Sequence, residues 1–206
     1  MNSIIPTIYL DMDEVVADFT GGVCDLFKIT RGTLETNRTV GRWDISHALA
    51  SALEREVTYE DIGAEIAKWG SKFWSNLAML PTASLVISAV KEVDPNWCFL
   101  STPWYRHGNH LPSTAGKIEW LHEKFGSDFD RYILTGKKRR CAHVGAILID
   151  DREHNCQDFI AGRQGAYSIL MPHQGNSLGA TYKTPESKLA YVKVQLDSVV
   201  ELISEL

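Results

Sequence analysis

The stretch IYLDMDEVVADF, residues 8–19, runs from an apolar, β-branched segment straight into the carboxylates of Asp11, Asp13, Glu14 and Asp18. The apolar part, opening at Ile4, has the composition of a strand buried on both faces, and such a strand gains nothing from ending in charge unless the charge meets a ligand. In a parallel α/β sheet, ligands bind beyond the carboxyl ends of the strands. Whether this segment is the first strand of such a sheet therefore decides the fold.

Short apolar runs of the same character recur at 97–100, 132–134, 146–149 and 167–171. Each reads as a strand buried on both faces. Helical spacing lies between them: Leu85, Val86, Ala89, Val90 and Val93 after Pro81, and Ile118, Leu121 and Phe125 before Gly126, a C-cap. The last helix has Thr184 as N-cap, Pro185 in its first turn, and Leu189, Val192, Leu196, Val199, Val200 and Ile203 along one face. This alternation predicts an α/β fold, a Rossmann-like three-layer core with a mostly parallel sheet of about five strands.

Residues 20–78 break the alternation, because GRWDISHALASALEREVTYEDIGAEIAKWGSKFW (41–74) carries helical periodicity and no convincing strand. The expected organisation is a catalytic core of 1–19 and 79–206 with a small helical cap, 20–78, inserted after strand one. Residues 171–187, MPHQGNSLGATYKTPES, read as a surface loop.

With 26 acidic and 21 basic residues, for a formal net charge of −5, the chain lacks the basic excess that grips phosphate backbones, so no nucleic-acid polymer is expected as a partner. Cys24, Cys98, Cys141 and Cys156 form no CxxC pair, which predicts free thiols in a reducing, cytoplasmic setting. No run reaches the roughly 18 apolar residues of a membrane span, and the first apolar stretch is interrupted by Asp11 and Asp13 before it resembles a signal sequence. No membrane partner is expected; a homodimer is compatible with this composition.

Chemistry is sought just past each strand. There the chain offers Asp11 and Asp13, then Ser101 and Thr102, then Lys137 and Lys138, then Asp150 and Asp151. Taken singly these are weak signals, since aspartates form turns and caps and a basic run is usually a solvated face. Two adjacent acids ending the wholly apolar ILIDD (147–151) are harder to dismiss, because one of them reaches the rim whatever the pleat does. Crowded carboxylates repel one another until a divalent cation relieves them, and oxygen ligands suit Mg2+. Cation, ammonium and carboxylate nucleophile together are the parts of phosphoryl transfer.

The order Asp11-x-Asp13, Ser101/Thr102, Lys138, Asp150-Asp151 resembles the four motifs of the haloacid dehalogenase-like phosphohydrolases. Within them, LDMDEVVADF, FLSTP, ILTGKKR and LIDDR are similar to the 5'(3')-deoxyribonucleotidases, which show DMDGVLADF, CTSP, LTRDK and LIDD; the likeness spans roughly residues 7 to 155. It implies a Mg2+-dependent phosphomonoesterase acting on (deoxy)ribonucleoside monophosphates, with a small-molecule nucleotide as its partner.

Carried over residue by residue, the resemblance makes Asp11 the nucleophile and Asp13 the acid/base. Mg2+ is held by Asp11, the Asp13 carbonyl and Asp151, with Asp150 beside it and the two exchangeable. Ser101 and Thr102 bind the phosphoryl oxygens and Lys138 neutralises them, Lys137 competing for that role. Phe73 and Trp74 are implied as aromatic pocket residues, and Trp43 is a further candidate to stack on a base; Arg106, His107 and His110 follow the second motif. Glu14 stands where the family often has Gly, which is tolerable on an ordinary backbone, and both Glu14 and Asp18 are expected at the surface or the cap hinge. A sugar-phosphate phosphatase with the same motifs, or a non-catalytic domain that binds a cation or phosphate, is the alternative.

Overall fold

The computed structural model of the protein describes residues 4–206, so the first three residues of the expected core segment 1–19 lie outside it. Among the described residues the sheet contains β1 (Thr7–Leu10), β2 (Cys98–Ser101), β3 (Tyr132–Leu134), β4 (Ala146–Asp150) and β5 (Tyr167–Leu170), in the order β3-β2-β1-β4-β5. Every pairing is parallel, with Leu10 opposite Phe99 on one side and Ile149 on the other. The chain leaves β1 toward β2 and later crosses back to β4, so the crevice between the ends of β1 and β4 is the topological switch point where ligands are expected.

Full burial belongs to the middle of the sheet. All of β4 is buried, whereas β3 and β5 are only partly covered and Ile133 is exposed, because an edge strand has a neighbour on one side alone. Those two expected doubly buried strands are therefore edges.

Between β1 and α6 (Ala83–Val93) lie α1 (Phe19–Phe27), α2 (Arg31–Asn37), α3 (Ser46–Leu53), α4 (Tyr59–Trp69) and α5 (Ser71–Ser75). The ends of this insert meet: the Asp18 N–H donates to Ala78 O at 2.8 Å and the Leu80 N–H to Val16 O at 2.8 Å. Its buried Leu34, Leu49, Ile62 and Ile66 join one apolar cluster with Ile8 and Leu10 of β1. Close contact with the sheet layer is made on α7 (His110–Phe125), where a Cβ at Gly116 would run into Ser71 O and Trp74 Cβ.

The remaining helices are α8 (Glu153–Gly162) and α9 (Pro185–Ser204). Thr184 caps α9 in a capping box with Ser187, and Val192, Leu196, Val199 and Ile203 are its buried stripe. Sequence periodicity does not reveal α8, because Cys156 and Phe159 are its buried residues and two positions make no stripe. The expected surface loop at 171–187 is instead anchored inside at Met171, His173 and Asn176. Among the described residues no helix is long and apolar enough to cross a membrane, and all four cysteines are free.

Candidate active site

Beyond β1 the Asp11 N–H still donates to Ile149 O, at 2.9 Å, so the parallel register carries Asp11 one residue past the strand. The chain then closes on itself: the N–H groups of Val16 and Ala17 donate to Met12 O at 2.9 and 2.8 Å, and that of Glu14 to Ala17 O at 2.8 Å. This turn brings Asp11 and Asp13 into one cavity of about 340 Å³, with Ser101, Thr102, Lys138 and Asp151 also on its lining.

Two buried lysines organise the carboxylates. Lys138 Nζ lies 2.7 Å from Asp11 Oδ1 and 2.5 Å from Asp150 Oδ2, while Lys137 is exposed. Lys117, from the middle of α7, donates to Asp13 Oδ2 at 2.7 Å and to Ser101 Oγ at 2.9 Å. Sequence reading missed Lys117, although it falls with Ser113, Gly116, Trp120 and Leu121 on the buried stripe of α7, where a lysine needs a partner.

The two acids of the first motif are pushed apart. Burial drives the Asp11 carboxyl up, but the ammoniums of Lys138 and Lys117 outweigh it and hold the group below its ordinary value. At Asp13 burial prevails over Lys117, and the charge of Asp11 adds to it, so the carboxyl sits above its ordinary value. One carboxylate kept ionised beside one that accepts a proton readily is the arrangement that separates a nucleophile from an acid.

Asp150 and Asp151 differ in their partners, although burial raises both carboxyls. Asp150 is saturated by protein donors: Lys138, Asn155 Nδ2 at 3.0 and 3.1 Å, and the Arg152 N–H at 2.9 Å. Asp151 receives Trp43 Nε1–H at 3.1 Å on Oδ2, and it, not Asp150, lines the cavity. Burial, with the charges of Asp150, Asp11 and Glu14, raises the Asp151 carboxyl well above its ordinary value.

Asp11, Asp150 and Asp151 each offer an oxygen, all within 4.8 Å of one another. Buried Asp13 Oδ1 receives no hydrogen bond among the described residues, and buried Asp11 Oδ1 meets the Lys138 ammonium at 2.7 Å. Clustered buried carboxylates with an unpaired oxygen beside them, in an oxygen-only set, fit a hard divalent cation.

The cavity wall is aromatic and basic: Phe19, Trp43, Tyr59, Trp74, Trp104 and Tyr105, with Arg106, Arg152 and His154. Of the expected pocket aromatics, Trp74 reaches the lining. Phe73 does not; it packs inward, edge-on to Phe19 and Trp74 and against Gly22, because neighbours on a five-residue helix point different ways. Trp43 lines the cavity, but Arg152 covers its ring at 3.4 Å from the centroid and its N–H is committed to Asp151, so it is not free to stack on a base.

Glu14 departs from expectation. Its backbone is left-handed, with φ of 59°, the conformation that explains a glycine there in the related motif. The side chain is buried, accepts from the Thr20 N–H at 2.5 Å and Arg31 Nη2 at 3.1 Å, and lies 2.8 Å from His173 Nε2. Burial would raise this carboxyl, but His173 and Arg31 override it and hold it well below the usual carboxylate range. Asp18, at the start of α1, caps the Gly21 N–H at 2.7 Å and pairs with the same Arg31. The 171–187 segment thus braces the first motif through His173. It also braces the fourth through Asn176 Nδ2, which donates to Asp151 O at 2.8 Å.

No protein-family profile matches the sequence, and no curated protein matches it. Among solved structures, a haloacid dehalogenase-like family hydrolase from Xanthomonas campestris superposes with a TM-score of 0.53 at 12% identity, over 100% of both chains. The fold is that of the haloacid dehalogenase-like hydrolases. Lower scores come from a HAD hydrolase, family IA, variant 3 from Entamoeba histolytica, 0.48 at 13% identity over 97% of this chain and 99% of that one. A HAD family enzyme from Bacteroides thetaiotaomicron, in complex with magnesium and inorganic phosphate, scores 0.41 at 14% identity over 87% of this chain and 100% of that one.

Proposed function

We propose that the protein is a Mg2+-dependent phosphomonoesterase that hydrolyses (deoxy)ribonucleoside monophosphates to nucleoside and phosphate. One observation carries the reading: a carboxylate held ionised by Lys138 and a proton-accepting carboxyl two residues on face one cavity with Asp151. Asp11 attacks phosphorus, the bond to the ester oxygen breaks, and Asp13 gives its proton to that oxygen as the nucleoside leaves. Asp13 then takes a proton from water, whose oxygen bonds to phosphorus as the bond to Asp11 breaks, restoring both carboxyls.

Lys138 and the Ser101–Lys117 pair neutralise and orient the phosphoryl oxygens, with Thr102 beside them. Asp11, the Asp13 carbonyl and Asp151 are the residues that would hold Mg2+, Asp150 fixing Lys138 and the Asp151 turn from behind. Bound there, the cation supplies charge neutralisation for the transferring group. The helical segment 20–78 acts as the cap, and its aromatic wall supports a nucleobase-bearing leaving group; 340 Å³ lies at the small end of the roughly 300–1,000 Å³ of small-molecule sites.

Phosphate release from a panel of nucleoside monophosphates and sugar phosphates tests this. Activity is expected on nucleotides, dependent on Mg2+, abolished by chelation and lost in Asp11→Asn. A clear preference for sugar phosphates would replace the substrate assignment, and full activity in Asp11→Asn would overturn the mechanism.

A further inference from the structure

Two guanidiniums on the cavity wall have no counterpart in the protein. Arg106 and Arg152 both line the cavity, yet among the described residues neither side chain makes an ion pair or donates a hydrogen bond. Nearby, Arg31 pairs with Glu14 and Asp18, and Arg38 with Glu35 and the Trp43 carbonyl, while Arg42, which has no such partner among the described residues, does not line the cavity.

Both unpaired groups are nevertheless held in place. Arg152 lies 3.4 Å from the centroid of Trp43, a ring itself anchored through Nε1–H to Asp151. Arg106 lies 5.4 Å over Tyr59, whose other neighbour is the parallel ring of Trp104 at 5.2 Å. Burial raises the Tyr59 hydroxyl while both guanidiniums pull against it, so the two cations act on the same phenol. A guanidinium stacked by its face keeps its N–H edge free, and that edge is the fork that binds a carboxylate or phosphate bidentately.

The phosphoryl end of the cavity is already supplied with Lys138 and Lys117. A neutral leaving group offers the two arginines, both solvent-exposed, no charged partner. We infer that the preferred substrate is a phosphomonoester carrying a second anionic group, phosphate or carboxylate, which Arg106 and Arg152 receive on the cavity wall. The inference rests on reading the cavity as a phosphomonoesterase site.

The experiment compares matched substrates: a nucleoside 3',5'-bisphosphate against the 5'-monophosphate, and 3-phosphoglycerate against glycerol 3-phosphate. Of the two pairs, at least one is expected to show a preference in kcat/KM of about tenfold or more for the doubly anionic member, the size of one charge-assisted bidentate contact. The pair that shows it tells phosphate from carboxylate. Arg152→Met and Arg106→Met should each collapse that ratio toward one, with Arg152→Lys retaining part of it.

The same ratio is read without turnover, as the Kd of Asp11→Asn for bisphosphate against monophosphate by calorimetry. Loss of all phosphatase activity, including on p-nitrophenyl phosphate, would defeat the enzymatic reading while the Kd ratio still decides the anion site. Ratios at or below one in both assays, or ratios unmoved in both methionine variants, would overturn the inference.

Discussion

The floor and the wall of the cavity handle charge in opposite ways. On the floor, Lys138 sits between Asp11 and Asp150, and Lys117 between Asp13 and Ser101, all within 2.9 Å. On the wall, Arg106 and Arg152 rest on aromatic rings and form no ion pair among the described residues. The floor hangs from strand ends and one buried helical stripe, whereas the wall is assembled from loops and the helical insert. The protein therefore pairs the charges of the floor internally and leaves those of the wall unpaired. Asp151 stands between the two, held by Trp43 from the wall and by Asn176 through its backbone.

The sharpest way to break this contrast is to remove a floor charge. Lys138→Met strands Asp11 and Asp150 without their shared cation, and breaking a buried pair costs about 3–5 kcal/mol. Urea denaturation should show that loss, and kcat should fall by roughly 10³-fold because a phosphoryl-facing donor is gone as well. Adding Asp150→Asn to the variant should recover part of the stability and none of the activity. Unchanged stability in Lys138→Met would mean that the floor is not self-compensated.

A smaller effect is expected from the cation. The unpaired Oδ1 of Asp13 and the raised carboxyl of Asp151 are the part of the floor the protein leaves unfinished. Mg2+ at about 100-fold above its Kd should stabilise the fold by roughly 2.7 kcal/mol, or about 5–10 °C in Tm for a chain of this size. Scanning fluorimetry with Mg2+ and then EDTA reads this. Asp151→Asn should abolish the increment, and an equal shift in that variant would place the cation elsewhere.

The floor is legible in sequence because strand ends carry it. Apolar runs locate β1, β2, β3 and β4, and the acids, hydroxyls and lysine at or after their ends fall at one rim by topology. Lys117 is not legible as a lysine, since mid-helix lysines are usually solvated, but it is legible as an intruder in an apolar stripe. The wall resists reading for a different reason. Tyr59, Trp104 and Arg152 come from distant parts of the chain and meet through packing that no local period encodes. Phe73 and Trp74 are adjacent, and the approach of Phe73 to Gly22, remote in sequence, accompanies its inward turn.

The smallest effect concerns Glu14, whose sequence position promised a surface residue and whose backbone explains why it is not one. A left-handed non-glycine residue costs about 1–2 kcal/mol, and here that cost is offset by the contacts to Arg31, His173 and the Thr20 N–H. Removing the side chain while keeping the strain, as in Glu14→Ala, should therefore be worse than Glu14→Gly by about 1 kcal/mol. The depressed folded-state value of Glu14 also fixes a sign. Its contribution is fully present above the unfolded carboxylate value of about 4.3 and is lost as pH falls toward the lower folded-state value. Denaturation from pH 6 down to pH 3 should show a steeper loss of stability in the wild type than in either variant. Parallel curves would mean that Glu14 is not ionised against Arg31 and His173, and the brace between the first motif and the 171–187 segment would then have to be a neutral one.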